Sequence, residues 1–146
     1  MKIKEVDLFI YSFLLLIMYF LSGINKVQEY QGTIDSFKSK ANFLDKLNFD
    51  YIYDILIVII IALELVVPII VLYNIFINNY DYFMFYAVIF LVFFTMLATY
   101  VYHYPPKGSK YYAFMGNVTA IGGLLLLSYI IYNKIPENNK IPQNIK

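Results

Sequence analysis

The sequence predicts an all-α integral membrane protein, a four-transmembrane-helix bundle with a short amphipathic interfacial helix between helices 1 and 2. Three observations carry that expectation. Of 146 residues, 61% are hydrophobic and only 14% charged, and mean hydropathy is +0.64, a balance that belongs to membrane chains. Four stretches are almost free of charge, and each is long enough at about 1.5 Å per residue to cross a hydrocarbon core roughly 30 Å thick. The connections joining the second, third and fourth stretches are only a few residues long and leave no room for a soluble domain.

The first span runs from Leu8 to Asn25. Its cleanest apolar part, Leu8 to Leu21, is short, and Asp7 closes one end. The same N-terminus therefore also reads as a cleavable signal peptide, with Lys2 and Lys4 ahead of an apolar stretch and the small pair Ser22-Gly23 behind it. The connection from Lys26 to Asp54 carries Ile34, Phe37, Ala41, Leu44 and Leu47 at helical spacing, with Lys38, Lys40, Asp45 and Lys46 among them. That pattern predicts a short amphipathic helix at the interface, either a solvated connection or a lid over a site. The remaining spans are Ile55 to Ile77, Tyr82 to Tyr102 and Tyr111 to Asn133. Residues 1–132 form one membrane domain. The polar segment 133–146, with Pro136, Pro142 and several asparagines, is expected to be a flexible tail.

Glu64 stands out within the second span. It is the only acidic or basic residue between Asp54 and Asp81, and a carboxylate in lipid is costly unless it faces a bundle interior or a ligand path. Pro68, four residues on, lacks the N–H that would have bonded the carbonyl of Glu64. One point thus combines an acid with an interrupted backbone ladder.

Composition also excludes chemistry. The chain has no cysteine, so it forms no disulfide, thiolate metal site or Cys-ligated cluster of its own. His103 is the sole histidine, which rules out a bis-histidine haem or a histidine-rich metal site within one subunit. No metal ligand set and no intrinsic cofactor is expected. A formal net charge of +1 without a basic cluster gives no footprint for nucleic acid. For four spans, five lysines fall on one side of the membrane and six on the other, so the positive-inside rule assigns no orientation.

Span parity brings the polar residues to one face. Lys26 closes span one, His103 closes span three, Asn117 lies about two turns into span four, and Glu64 sits roughly 14 Å below this face at 1.5 Å per residue. Lys26 can reach down part of that distance on its flexible stem, which leaves a direct pair with Glu64 open. Thr95, Thr99 and His103 recur at four-residue spacing and share one side of their helix. Gly116, Ala120 and Gly123 form a small-residue stripe suited to close helix approach.

These residues carry a family resemblance. The segments FLSGINKV (Phe20 to Val27), ALELVVPIIVL (Ala62 to Leu72) and FMGNVTAIGGLLLL (Phe114 to Leu127), with His103 at the end of span three, resemble the DoxX family of small four-helix membrane proteins. In that family the first span closes with a phenylalanine, a small pair and a lysine, matched by Phe20, Ser22, Gly23 and Lys26. The second carries a glutamate and the third ends near a histidine, matched by Glu64 and His103. The fourth opens with an asparagine ahead of a Gly-Gly-leucine run, matched by Asn117, Gly122, Gly123 and Leu124. One departure is plain: Val66, Val67 and Pro68 stand where small residues usually follow the glutamate.

The resemblance implies one of two roles. Members look like accessory membrane subunits of redox systems, including thiosulfate to quinone oxidoreductase and oxidative-stress assemblies, and related eukaryotic proteins act as assembly factors. In the first role a lipid-soluble quinone or a redox protein partner supplies the electron chemistry. Glu64 is then the buried proton donor or acceptor, His103 the gate to water, and Lys26, Asn117, Thr95 and Thr99 bind the ligand, while Gly23, Pro68, Gly116, Ala120 and Gly123 shape the helices. In the second role the chain is a non-catalytic assembly or scaffolding protein whose polar residues lock four helices in register, alone or as a homo-oligomer.

Overall fold

The structure, a computed structural model, describes residues 3–41 and 51–136. It is all-α. The elements are α1 (Ile3–Gln28), α2 (Tyr30–Lys40), α3 (Ile52–Phe76), α4 (Tyr82–His103) and α5 (Lys110–Lys134). α1, α3, α4 and α5 are each long and apolar enough to cross a membrane, and α2 is the short helix expected between the first two spans. Leu44 and Leu47, predicted on that short helix, lie outside the described residues, as does the tail from residue 137 onward. α5 ends at Lys134, one residue beyond Asn133, the expected end of the fourth span.

The chain's own chemistry sets the helix ends. After α3, Asn78 takes the left-handed conformation (φ 55°), its N–H bonds the carbonyl of Ile75, and the N–H of Asn79 bonds that of Asn74. This is a Schellman closure, which asparagine tolerates where most side chains do not. Three residues later the Asp81 carboxylate accepts from Met84 N at 2.8 Å and caps α4. α4 ends where Tyr104 turns extended ahead of Pro105 and Pro106, since a residue before proline is driven out of the helical region. Pro68 is buried inside α3, and the helix continues through it to Phe76.

α1 packs mainly along α3 and α5 mainly along α4, and the two antiparallel pairs face each other. The core is uneven. Leu16, Val71, Ile75, Met84, Val88, Leu91, Leu124 and Ile131 fill the half of the bundle near the α3–α4 turn. At the opposite face a smaller cluster forms where Ile34 of α2 meets Tyr53 and Ile57 of α3, and Phe37 stacks on Tyr102 of α4 at 6.5 Å between centroids. α2 is therefore held beneath that face by packing against α3 and α4. Outward-pointing side chains such as Leu14, Tyr73, Phe93, Leu97 and Tyr129 are exposed and apolar, as a surface solvated by lipid tails requires. The protein is a multi-pass integral membrane protein.

Of the predicted small-residue stripe on α5, only part is used. Ala120 is buried, and a Cβ on Gly123 would come within 2.9 Å of Leu15 of α1. Gly116 is exposed, and nothing among the described residues lies within 4 Å of where its Cβ would stand. Close approach between α1 and α5 thus occurs at Gly123 and does not extend to Gly116, about two turns nearer the start of the helix.

Candidate functional site

Between the packed half and the α2 face lies a polar layer, and α1 supplies most of it. Tyr19, Ser22, Gly23 and Lys26 fall at the i, i+3, i+4, i+7 spacing that aligns them on one side of a helix. That side meets α3. A Cβ on Gly23 would stand 2.8 Å from Leu65 Cδ2 and 3.2 Å from Glu64 Cβ, distances that no side chain there tolerates without a shift. Glycine is what lets the two helices come this close.

The close approach delivers Lys26 to Glu64. Lys26 Nζ donates to Glu64 Oε2 at 2.7 Å and to Oε1 at 2.9 Å, and to Ser22 Oγ at 2.6 Å. Ser22 Oγ in turn donates to Glu64 Oε1 at 3.3 Å. Glu64 is only 4% exposed, while the Lys26 side chain retains 24%, consistent with a lysine reaching down from the face on its apolar stem. The pair left open by the sequence is formed. A charge-neutral, hydrogen-bonded unit is the form in which a carboxylate can reside among apolar helices.

Opposite this unit, Tyr19 and Thr95 share a 2.7 Å hydrogen bond that ties α1 to α4. Thr95 also donates to the carbonyl of Leu91 at 2.7 Å and Thr99 to that of Thr95 at 2.6 Å, the i−4 back-bonding common for threonine in membrane helices. A cavity of about 810 Å³ lies against these groups, within the span of roughly 300–1,000 Å³ usual for ligand sites. Lys26, Glu64, Thr95, His103 and Asn117 all line it, so five of the predicted chemical residues converge. Thr99 does not. It is buried with its hydroxyl turned back on its own helix. Gly23 sets the contact of α1 with α3 and Pro68 is buried within α3, and neither lines the cavity.

The walls are apolar and open sideways. Ile59 of α3 and Phe90, Phe93 and Leu97 of α4 line the cavity and remain exposed, so packing does not seal the space between α3 and α4. Asn25 and Glu29, exposed where α1 gives way to α2, line its other end. Ser22 and Tyr19 are the members of this site that the sequence reading did not assign. Their signal is the shared spacing with Gly23 and Lys26, which is weak because hydroxyls in an apolar span equally suit ordinary packing.

The DoxX family model matches residues 8–104 of the chain. The chain belongs to the DoxX family. No curated protein and no solved structure matches it significantly. The matched segment runs from α1 through α4 and so contains every DoxX residue of the polar layer named here except Asn117, which α5 contributes.

Proposed function

We propose that this DoxX protein is the membrane subunit of a redox system and holds a lipid-soluble quinone in the cavity beside Lys26 and Glu64. The observation that supports this reading is the cavity itself, with one hydrogen-bonding corner, aromatic walls and an opening toward the hydrocarbon layer where quinones reside. Interconverting quinone and quinol moves two electrons and two protons. The electrons pass to or from a redox protein partner. The protons must travel between water and the ring oxygens through a dry interior, and Glu64 is the carboxylate placed to exchange one, with His103 near the face as its contact with water. Lys26 balances the charge of Glu64 while the carboxylate is ionised, and when Glu64 carries the proton the positive charge left on Lys26 sits on a side chain that retains 24% exposure toward the face.

The test is purification from the native membrane in mild detergent, followed by solvent extraction and chromatography of what the protein retains. A bound quinone and a co-purifying redox protein are expected. In that native complex Glu64→Gln should lower quinone turnover by about a hundredfold or more while the protein still folds with a lowered unfolding temperature, because glutamine accepts from Lys26 through one oxygen but no longer balances its charge. Wild-type turnover in this variant removes the reading.

One observation favours a second role, that of assembly or scaffolding. Two of the three protons of the Lys26 ammonium bridge from α1 to Glu64 of α3 and the third goes to Ser22 of its own helix, which also bonds Glu64, as in a helix lock. Exchanging the two charges in a Lys26→Glu, Glu64→Lys double variant separates the roles. A lock regains stability and partner binding on exchange, whereas a proton-exchanging site regains stability without turnover.

A further inference from the structure

We infer that the deep end of the cavity receives its guest through a hydroxyl that the guest donates, so that a lipid-soluble hydroquinone fits it better than the corresponding quinone. This rests on the reading of the cavity as a ligand site given above and adds which partner supplies the hydrogen.

Proton accounting carries it. An ammonium has three protons, and those of Lys26 go to Ser22 Oγ, Glu64 Oε1 and Glu64 Oε2. The Ser22 proton goes to Glu64 Oε1. The single Thr95 hydroxyl proton lies on the carbonyl of Leu91, so in the Tyr19–Thr95 bond the phenol must be the donor. Every side-chain donor in this corner is already engaged within the protein. What remains are lone pairs. A carboxylate accepts about four hydrogen bonds, and Glu64 receives three, two on Oε1 and one on Oε2. The Tyr19 oxygen likewise keeps acceptor capacity.

A quinone carbonyl entering this corner would set lone pair against lone pair, or would require Lys26 to release one of its bonds. A hydroxyl meets no such obstacle. Phe90, Phe93 and Phe94 along the wall suit a flat aromatic ring behind that hydroxyl. Cavity groups with uncommitted donors, among them the Asn117 amide, the His103 imidazole, the Asn25 amide, the Ser36 hydroxyl and the Tyr102 phenol, lie nearer the face: Asn117 is seven residues into α5, Tyr102 and His103 end α4, and Asn25 and Ser36 lie late in α1 and on α2, whereas Glu64 is twelve residues into α3. An amide both donates and accepts, so Asn117 can receive the far oxygen of either ring form and does not discriminate.

The experiment compares three probes with one short alkyl tail, a hydroquinone, its dimethyl ether and the quinone, titrated anaerobically by calorimetry into the wild-type protein in detergent. The hydroquinone should bind about ten- to a hundredfold tighter than either of the others, the range for one hydrogen bond to a charged acceptor. Equal or tighter binding of the quinone or the ether overturns the donor assignment and leaves the ligand site standing. Binding of none of the three removes the ligand site as well. In folded Glu64→Gln the new amide can present N–H groups, so the preference should narrow or reverse. An unchanged preference there excludes Glu64 as the acceptor.

Discussion

At the scale of single residues, the interior of this bundle tolerates Glu64 because Lys26 is bonded to it twice and Ser22 once. Two charges removed from water each carry a desolvation cost of several kcal/mol, and their attraction offsets it only when the geometry is good and the remaining hydrogen bonds are made. Removing one partner should therefore hurt far more than removing both. Lys26→Met and Glu64→Leu are each expected to lose about 3 kcal/mol, the double variant about 1 kcal/mol or less, and Ser22→Ala about 1 kcal/mol, read from reversible unfolding in mixed micelles. Additive losses in the double variant would show that the two side chains do not act as a pair. The sequence made both residues legible, because an acid and a lysine in apolar surroundings have few places to go. It left their pairing undecided, since the reach of lysine depends on the separation of α1 and α3, and that separation is set by Gly23 against Leu65. Thr99 shows the opposite limit: its four-residue spacing from Thr95 aligned the two side chains correctly, but spacing does not reveal that the hydroxyl turns to its own backbone.

Helices that look equivalent in composition differ in how much freedom their glycines have. At Gly23 a methyl group would fall 2.8–2.9 Å from Leu65 and 3.2 Å from Glu64 Cβ, and the last of these contacts is next to the α3 backbone and has little room to yield. Gly23→Ala should push α1 from α3, cost about 1–3 kcal/mol as overpacking does, and loosen the Lys26–Glu64 pair with it. Gly116 faces open space among the described residues, so Gly116→Ala gains helix propensity without a clash and should stabilise by about 0.5–1 kcal/mol. Thermal unfolding of the two variants side by side checks both signs, and equal behaviour would mean that the α1–α3 contact is looser than described. Four apolar windows were enough to place the four spans, because hydrocarbon demands length and absence of charge from each helix by itself. The stripe Gly116, Ala120, Gly123 was less informative. Small residues permit a close contact, and whether one is made depends on the partner helix, which here crowds Gly123 and leaves Gly116 open.

The whole molecule is a bundle packed at one end and hollow at the other, with α2 lying across the hollow end. This arrangement requires Lys26, α2, His103 and the α4–α5 connection to share one side of the membrane, and the α3–α4 turn to lie on the other. Lysine counts could not supply the orientation, because five against six is no bias, but parity alone fixes which loops go together. The absence of cysteine makes this directly testable, since any introduced thiol is the only one in the chain. Lys40 at the end of α2, Lys107 after α4 and Asn79 in the α3–α4 turn are all exposed, and each can be replaced singly by cysteine. In sealed vesicles of uniform orientation a membrane-impermeant maleimide should treat Lys40→Cys and Lys107→Cys alike and Asn79→Cys oppositely, with all three reacting once the vesicles are opened by detergent. Labelling of Asn79→Cys together with the other two would mean that α3 and α4 do not both cross. Glu64 and His103 would then no longer be approached from a common face, and the cavity would lose the route to water that the proposed proton exchange requires.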